Sequence, residues 1–188
     1  MFNLADRTPN STAEVILTTE QTQETHVLRI PQHEAQIALM TAWRLLPELV
    51  SACGLDDEKG GYLCVADAKT GTPLLVALIG EKSVETRART YAEEKCARLA
   101  TCPSHVSSWQ SRDELFQRYG GAIRAGEILI SFSGLPEHLD EMLAVSVAIE
   151  LQKISTVEAV EILKTSDNPH TKLLTMAGRL RAINEREQ

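Results

Sequence analysis

The stretch Tyr119 to Ile149, YGGAIRAGEILISFSGLPEHLDEMLAVSVAI, constrains the fold more than any other. Two adjacent glycines, Gly120 and Gly121, permit a turn with positive φ. A second turn at Ala125 and Gly126 leads into Glu127 to Phe132, EILISF, which predicts a strand. Ser133, Gly134, Leu135 and Pro136 then convert strand into helix. Pro136 at the first helical position, with Glu137, Asp140 and Glu141 in the early turns, suits both the missing proline N–H and the positive end of the helix dipole. An apolar helix to about Lys153 must follow directly on an apolar strand, and that succession implies a layered α+β domain.

The rest of the chain fills in around this unit. Glu14 to Thr19 and Thr25 to Ile30 are short β-branched runs that predict an N-terminal β-hairpin. Pro31 opens a long helix with apolar residues at helical spacing from Ala35 to Cys53, kinked or restarted near Leu46 because Pro47 lies inside it, and stopped by Gly54. Tyr62 to Ala68 and Pro73 to Ile79 read as a hairpin at the centre of the sheet, apolar nearly throughout. Ser83 caps a helix to Ala100 whose alanines, Ala88, Ala92, Ala97 and Ala100, let it lie close to the sheet. Ser111 to Glu114, SRDE, predicts a capping box opening a short helix that ends at Gly120. Ser155 to Glu158, STVE, predicts another for a helix to Lys164, and Asp167 to Pro169 restart a last helix to about Glu185. The expected organisation is one α+β domain over residues 1–154, with residues 155–188 packed on it as a C-terminal helical hairpin.

A formal net charge of −7 argues against nucleic-acid binding, since no Lys/Arg stripe faces a row of phosphates. No run of about eighteen apolar residues suggests a membrane span. The beginning of the chain has no leader-like apolar segment, so a cytoplasmic protein is expected. Cys53, Cys64, Cys96 and Cys102 form no CxxC pair and read as reduced thiols, with Cys102, beside Pro103, the one expected to be exposed. There is no GxSxG elbow, P-loop, GxGxxG after a strand or HExxH.

The corner from Ser131 to Glu137 is the candidate ligand site. Backbone N–H groups at a helix start, helped by the Ser133 hydroxyl, suit a carboxylate or phosphate, and Arg124 is the visible side chain that would offset the neighbouring acids. The same residues also make an ordinary strand-to-helix turn. His138 and Glu141 share a helix face and with Asp140 resemble a metal cluster, although an exposed polar face explains them better, because a divalent site needs further ligands that spacing cannot supply.

The order of elements, with VADAKTGTPLLVALI, AEEKCARLA, GGAIRAGEILISFSG and LPEHLDEMLAVSVAI in succession, resembles the GlcG/HbpS-like family, which includes the C-terminal domain of PduO-type proteins. The resemblance covers Gln32 to Gln152. Leu139 stands where the family has Gln, and Ile79 to Lys82 lacks the family's Arg-Met-Asp-Gly-like run. The resemblance implies a profilin-like antiparallel sheet flanked by helices, a homo-oligomer, and a ligand such as haem or another tetrapyrrole. It places the ligand-binding residues at Gly120, Gly121, Ser133, Gly134, Asp140 and Glu141, to which the corner adds Ser131 and Arg124. Among the histidines, His105, in a loop beside Pro103 and Trp109, is the candidate for haem iron. The leading expectation is a non-catalytic protein that binds a small molecule. The alternatives are a protein-protein interaction or scaffold module without ligand and, third, an enzyme acting on a small carboxylate at Ser133.

Overall fold

A computed structural model describes residues 30–55, 60–80 and 86–174. The expected N-terminal hairpin, the Ser83 cap and the chain beyond Leu174 lie outside them.

The first helix, α1, is Gln32–Ala52. It runs on through Pro47 as one element, not two. Both Pro47 and Trp43, whose carbonyl the missing proline N–H would have met, are on the exposed side, where water can take that carbonyl. Gly54 ends it as expected, with φ of +65°. Leu55 N–H returns to Val50 O at 3.0 Å and Gly54 N–H to Ser51 O at 3.2 Å, a Schellman closure.

Strands β1 (Gly60–Asp67) and β2 (Pro73–Gly80) form the first hairpin. Helix α2 is Thr86–Ala100. Strands β3 (Ala122–Ala125) and β4 (Ile128–Ser133) form a second hairpin, followed by helix α3 (Glu137–Glu150) and helix α4 (Thr156–Lys164). The sheet is antiparallel in the order β2-β1-β4-β3.

Only half of the first hairpin is therefore central. Strand β1 is flanked on both sides, whereas β2 is an edge strand among the described residues, and its Leu74, Val76, Ala77 and Leu78 are partly or well exposed. An apolar run does not by itself distinguish a paired strand from an edge strand. Pro73 begins β2, where a missing N–H costs no ladder bond.

Alternation along the central strands sorts the core into two layers. Leu63, Val65, Ile128, Ile130 and Phe132 pack with α1, α3 and α4, joined by Ala159, Ile162, Leu163 and Leu174. Cys64, Ala66 and Leu129 pack with Ala92, Cys96, Leu99 and Ala100 of α2. The helices α2 and α3 thus cover opposite faces. Ala97, placed on the buried face by its spacing, is exposed.

Strand β3 went unread in the sequence, because four residues beside two glycines carry almost no periodic signal, and the turn expected at Ala125 and Gly126 is the two-residue Gly126-Glu127 turn that joins β3 to β4. The helix expected from Ser111 to Gly120 does not form. Its place is taken by two 3-10 turns, Ser108–Ser111 and Glu114–Phe116. The capping box is Ser107 with Gln110, and the Ser111 hydroxyl is held instead by Arg98 at 2.6 Å. The STVE box does form, with Ser155 and Glu158 capping each other.

Candidate functional site

The first turns of α3 carry three carboxylates, Glu137, Asp140 and Glu141, and each pins a different part of the chain. Helical spacing places them on one side of α3, but their partners diverge.

Glu137 takes both its oxygens to the Arg112 guanidinium, at 2.8 and 3.0 Å, and also accepts the Gly120 N–H at 2.7 Å. Partial burial pushes its carboxyl up, but the Arg112 and Gly120 hydrogen bonds outweigh that, and it sits below its ordinary range. Arg112 also lies 4.9 Å from the Trp109 ring centre, and Trp109 stacks on His138 at 4.4 Å.

Asp140 is buried with Lys95 of α2. Lys95 Nζ donates to Asp140 Oδ2 at 2.7 Å and to Phe132 O at 2.9 Å, and Leu135 N–H donates to Asp140 Oδ1 at 3.0 Å. Burial pushes the Asp140 carboxyl up to about 7, against the pull of Lys95 and the Leu135 N–H. Glu141 accepts the hydroxyls of Ser107 and Ser166, both at 2.5 Å, and the Asn168 amide at 3.1 Å. Burial raises its carboxyl, and those three hydrogen bonds hold it down in part.

The two glycines make room for these groups. A Cβ on Gly120 would lie 2.3 Å from Trp109 Nε1, and one on Gly121 would lie 2.6 Å from Asp140 Cβ and 3.0 Å from Lys95 Nζ. Only Gly121 has positive φ, at +105°. Gly120 is there for space, not for a turn.

The residues read from sequence are brought together only in part. Gly120, Gly121, Asp140 and Glu141 surround the start of α3. Ser133 ends β4, its carbonyl packed on Gly61, and Gly134, at φ of +149°, lies on the Gly60 and Gly61 backbone. The corner does hold a carboxylate on a backbone N–H, and it is the chain's own Asp140 on Leu135. Ser131 donates to Ala92 O at 2.6 Å, tying β4 to α2. Arg124 pairs in register with Leu129, about 13 Å along β4 from Ser133, and donates to the carbonyls of His105, Ala68, Leu99 and Cys102. It closes the C-terminal end of α2 and does not face the corner. The His138 ring stacks on Trp109, and among the described residues no group of three His, Cys, Asp or Glu is arranged to hold a metal ion. His105 is partly buried, with its Nδ1 buried and without a hydrogen-bond partner.

Sequence reasoning missed Lys95, Ser107, Arg112, Ser166 and Asn168. Lys95 had a readable signal, since it falls among Ala88, Ala92, Cys96 and Leu99 on the apolar face of α2, where an unpaired lysine is too costly. The others act from loops, whose partners depend on tertiary structure.

Fold and site together define an α+β domain with a polar hub at one helix start, its acids engaged by the chain itself. No family model and no curated protein matches the chain. Among solved structures, Klebsiella pneumoniae protein ORFY, of the DUF336 family, aligns with a TM-score of 0.47 at 14% identity, over 74% of this chain and 99% of that one.

Proposed function

We propose that this protein is a non-catalytic interaction domain that self-associates through the flank formed by α1 and β2. The observation that carries this reading is the outward face of α1, where Ile37, Met40 and Trp43 are 37, 73 and 48% exposed. Their spacing sets them in one stripe. Helix α1 packs on β2, which among the described residues is an unpaired sheet edge, so apolar stripe and open edge share one flank. No helix of the described residues is long and apolar enough to cross a membrane, and all four cysteines are free thiols, which supports a reducing, cytoplasmic setting.

Sedimentation velocity at micromolar concentration tests this. A dimer or larger species is expected, converted to monomer by Met40→Glu with Trp43→Glu. A monomeric wild-type chain overturns it.

A second reading, haem or another tetrapyrrole as ligand, is favoured by the buried, unpartnered Nδ1 of His105. The corner residues themselves do not fit that group, because Gly120 and Gly121 are filled by Trp109 and by Lys95 with Asp140. Haem titration should give a Soret shift lost in His105→Ala, and no shift at saturating haem removes this reading.

A further inference from the structure

One side-chain pair lies outside everything described so far. Cys53, which ends α1, places its Sγ 3.7 Å from Nδ1 of His170, a contact between residues 117 positions apart. That is hydrogen-bonding distance for sulfur, with the thiol donating when the imidazole carries its proton on Nε2. Both residues are partly exposed. His170 is held in place because its backbone N–H donates to Asn168 Oδ1 at 3.0 Å, and the Asn168 amide in turn donates to Glu141 and to the His138 carbonyl.

The other cysteines differ. Cys64 and Cys96 are fully buried, and the hydrogen bond with Cys96 together with burial keeps the Cys64 thiol well above its ordinary range. Cys102 is partly exposed, but its sulfur lies beside the Thr101 hydroxyl at 3.8 Å, which is no base. A thiol with an imidazole in reach is the arrangement that activates sulfur.

We infer that Cys53 is a modification site, a thiol that exchanges with low-molecular-weight disulfides using His170 as its base. The Cys53 proton passes to His170 Nδ1 and the sulfur attacks one sulfur of the disulfide. The S–S bond of the reagent breaks as the new one forms, and the departing thiolate takes the proton back from His170. Thiol and disulfide become mixed disulfide and thiol, with no further oxidant.

The full chain is treated with 4,4′-dithiodipyridine at pH 7, and each cysteine is followed by peptide mass spectrometry. Cys53 should react about tenfold faster than Cys102, and His170→Gln should bring Cys53 down to the Cys102 rate without changing Cys102. Equal rates in the wild type, or an unchanged Cys53 rate in His170→Gln, overturn the proposal. The buried Cys64 and Cys96 report unfolding. Should His170→Gln expose them, the wild-type ratio of Cys53 to Cys102 decides alone.

Discussion

Lys95 and Asp140 meet at 2.7 Å although their helices cover opposite faces of the sheet. The contact is made at the end of the sheet, where Gly121 offers no side chain to block it. Both residues are about as buried as the apolar core, at 1 and 2% exposure, so the pair acts as a polar rivet between layers. A buried pair of this kind gives little net stability over an apolar replacement but is costly to break from one side. Asp140→Leu should therefore cost about 3–5 kcal/mol by chemical denaturation, since it strands an ammonium. Lys95→Met should cost less at pH 7, because Asp140 can take up a proton there. The double substitution should recover most of the loss, and a strictly additive cycle would show that the two do not interact.

Gly121 and Gly126 both have positive φ, yet substitution should affect them differently. At Gly126, with φ of +61° and nothing within 4 Å of a Cβ, alanine pays only for a left-handed backbone, about 1 kcal/mol. At Gly121 the same methyl meets Asp140 and Lys95, so Gly121→Ala should cost at least twice as much. Gly120→Ala, where the obstacle is the Trp109 indole, should shift Trp109 fluorescence in a Trp43→Phe background. An unshifted spectrum would mean that the indole does not rest on Gly120.

The pH dependence of stability carries a sign set by burial. Asp140 has its carboxyl raised from an ordinary 3.8 to about 7, so between those values the folded chain holds a proton that the unfolded chain has released. Its contribution is complete below about pH 4 and is lost as pH rises through 7. Glu141 is raised as well and acts in the same sense. His138, lowered by burial and by nearby His170, acts oppositely, its contribution present above about 6.5 and lost as pH falls. Subtracting the stability-pH curve of Asp140→Asn from that of the wild type isolates the first group. The difference should fall from pH 4 to pH 7, and a rising difference would contradict the assigned shift.

The fold was legible wherever sequence signals were local. Pro136 and the acids after it start α3, Ser155 with Glu158 caps α4, and Gly54 closes α1, because each signal acts through bonds within a few residues. The edge position of β2 was not legible, since pairing partners are chosen across the chain. The same limit governs the site. Gly120, Gly121, Asp140 and Glu141 lie together at the start of α3, but their partners are Lys95, Ser107, Trp109 and Ser166, many positions away. Acids that looked like a solvated helix face are buried because those partners satisfy them.

Arg124 shows what that difference means experimentally. Sequence placed it as the cation that would balance an anion at the Ser133 corner, whereas its guanidinium spans the carbonyls of Ala68, Leu99, Cys102 and His105. Leu99 lies in the last turn of α2 and Cys102 just beyond it, and their carbonyls also accept the Cys102 and His105 N–H groups. A planar fork reaches several acceptors at once, and a lysine ammonium at the same place cannot. Arg124→Lys should therefore destabilise the chain by about 1–3 kcal/mol despite keeping the charge. It should also raise amide hydrogen exchange in residues 99–105, the segment the guanidinium ties down. If Arg124 served an anion instead, Arg124→Lys would leave both stability and exchange near wild type, and added phosphate would protect the wild-type chain alone.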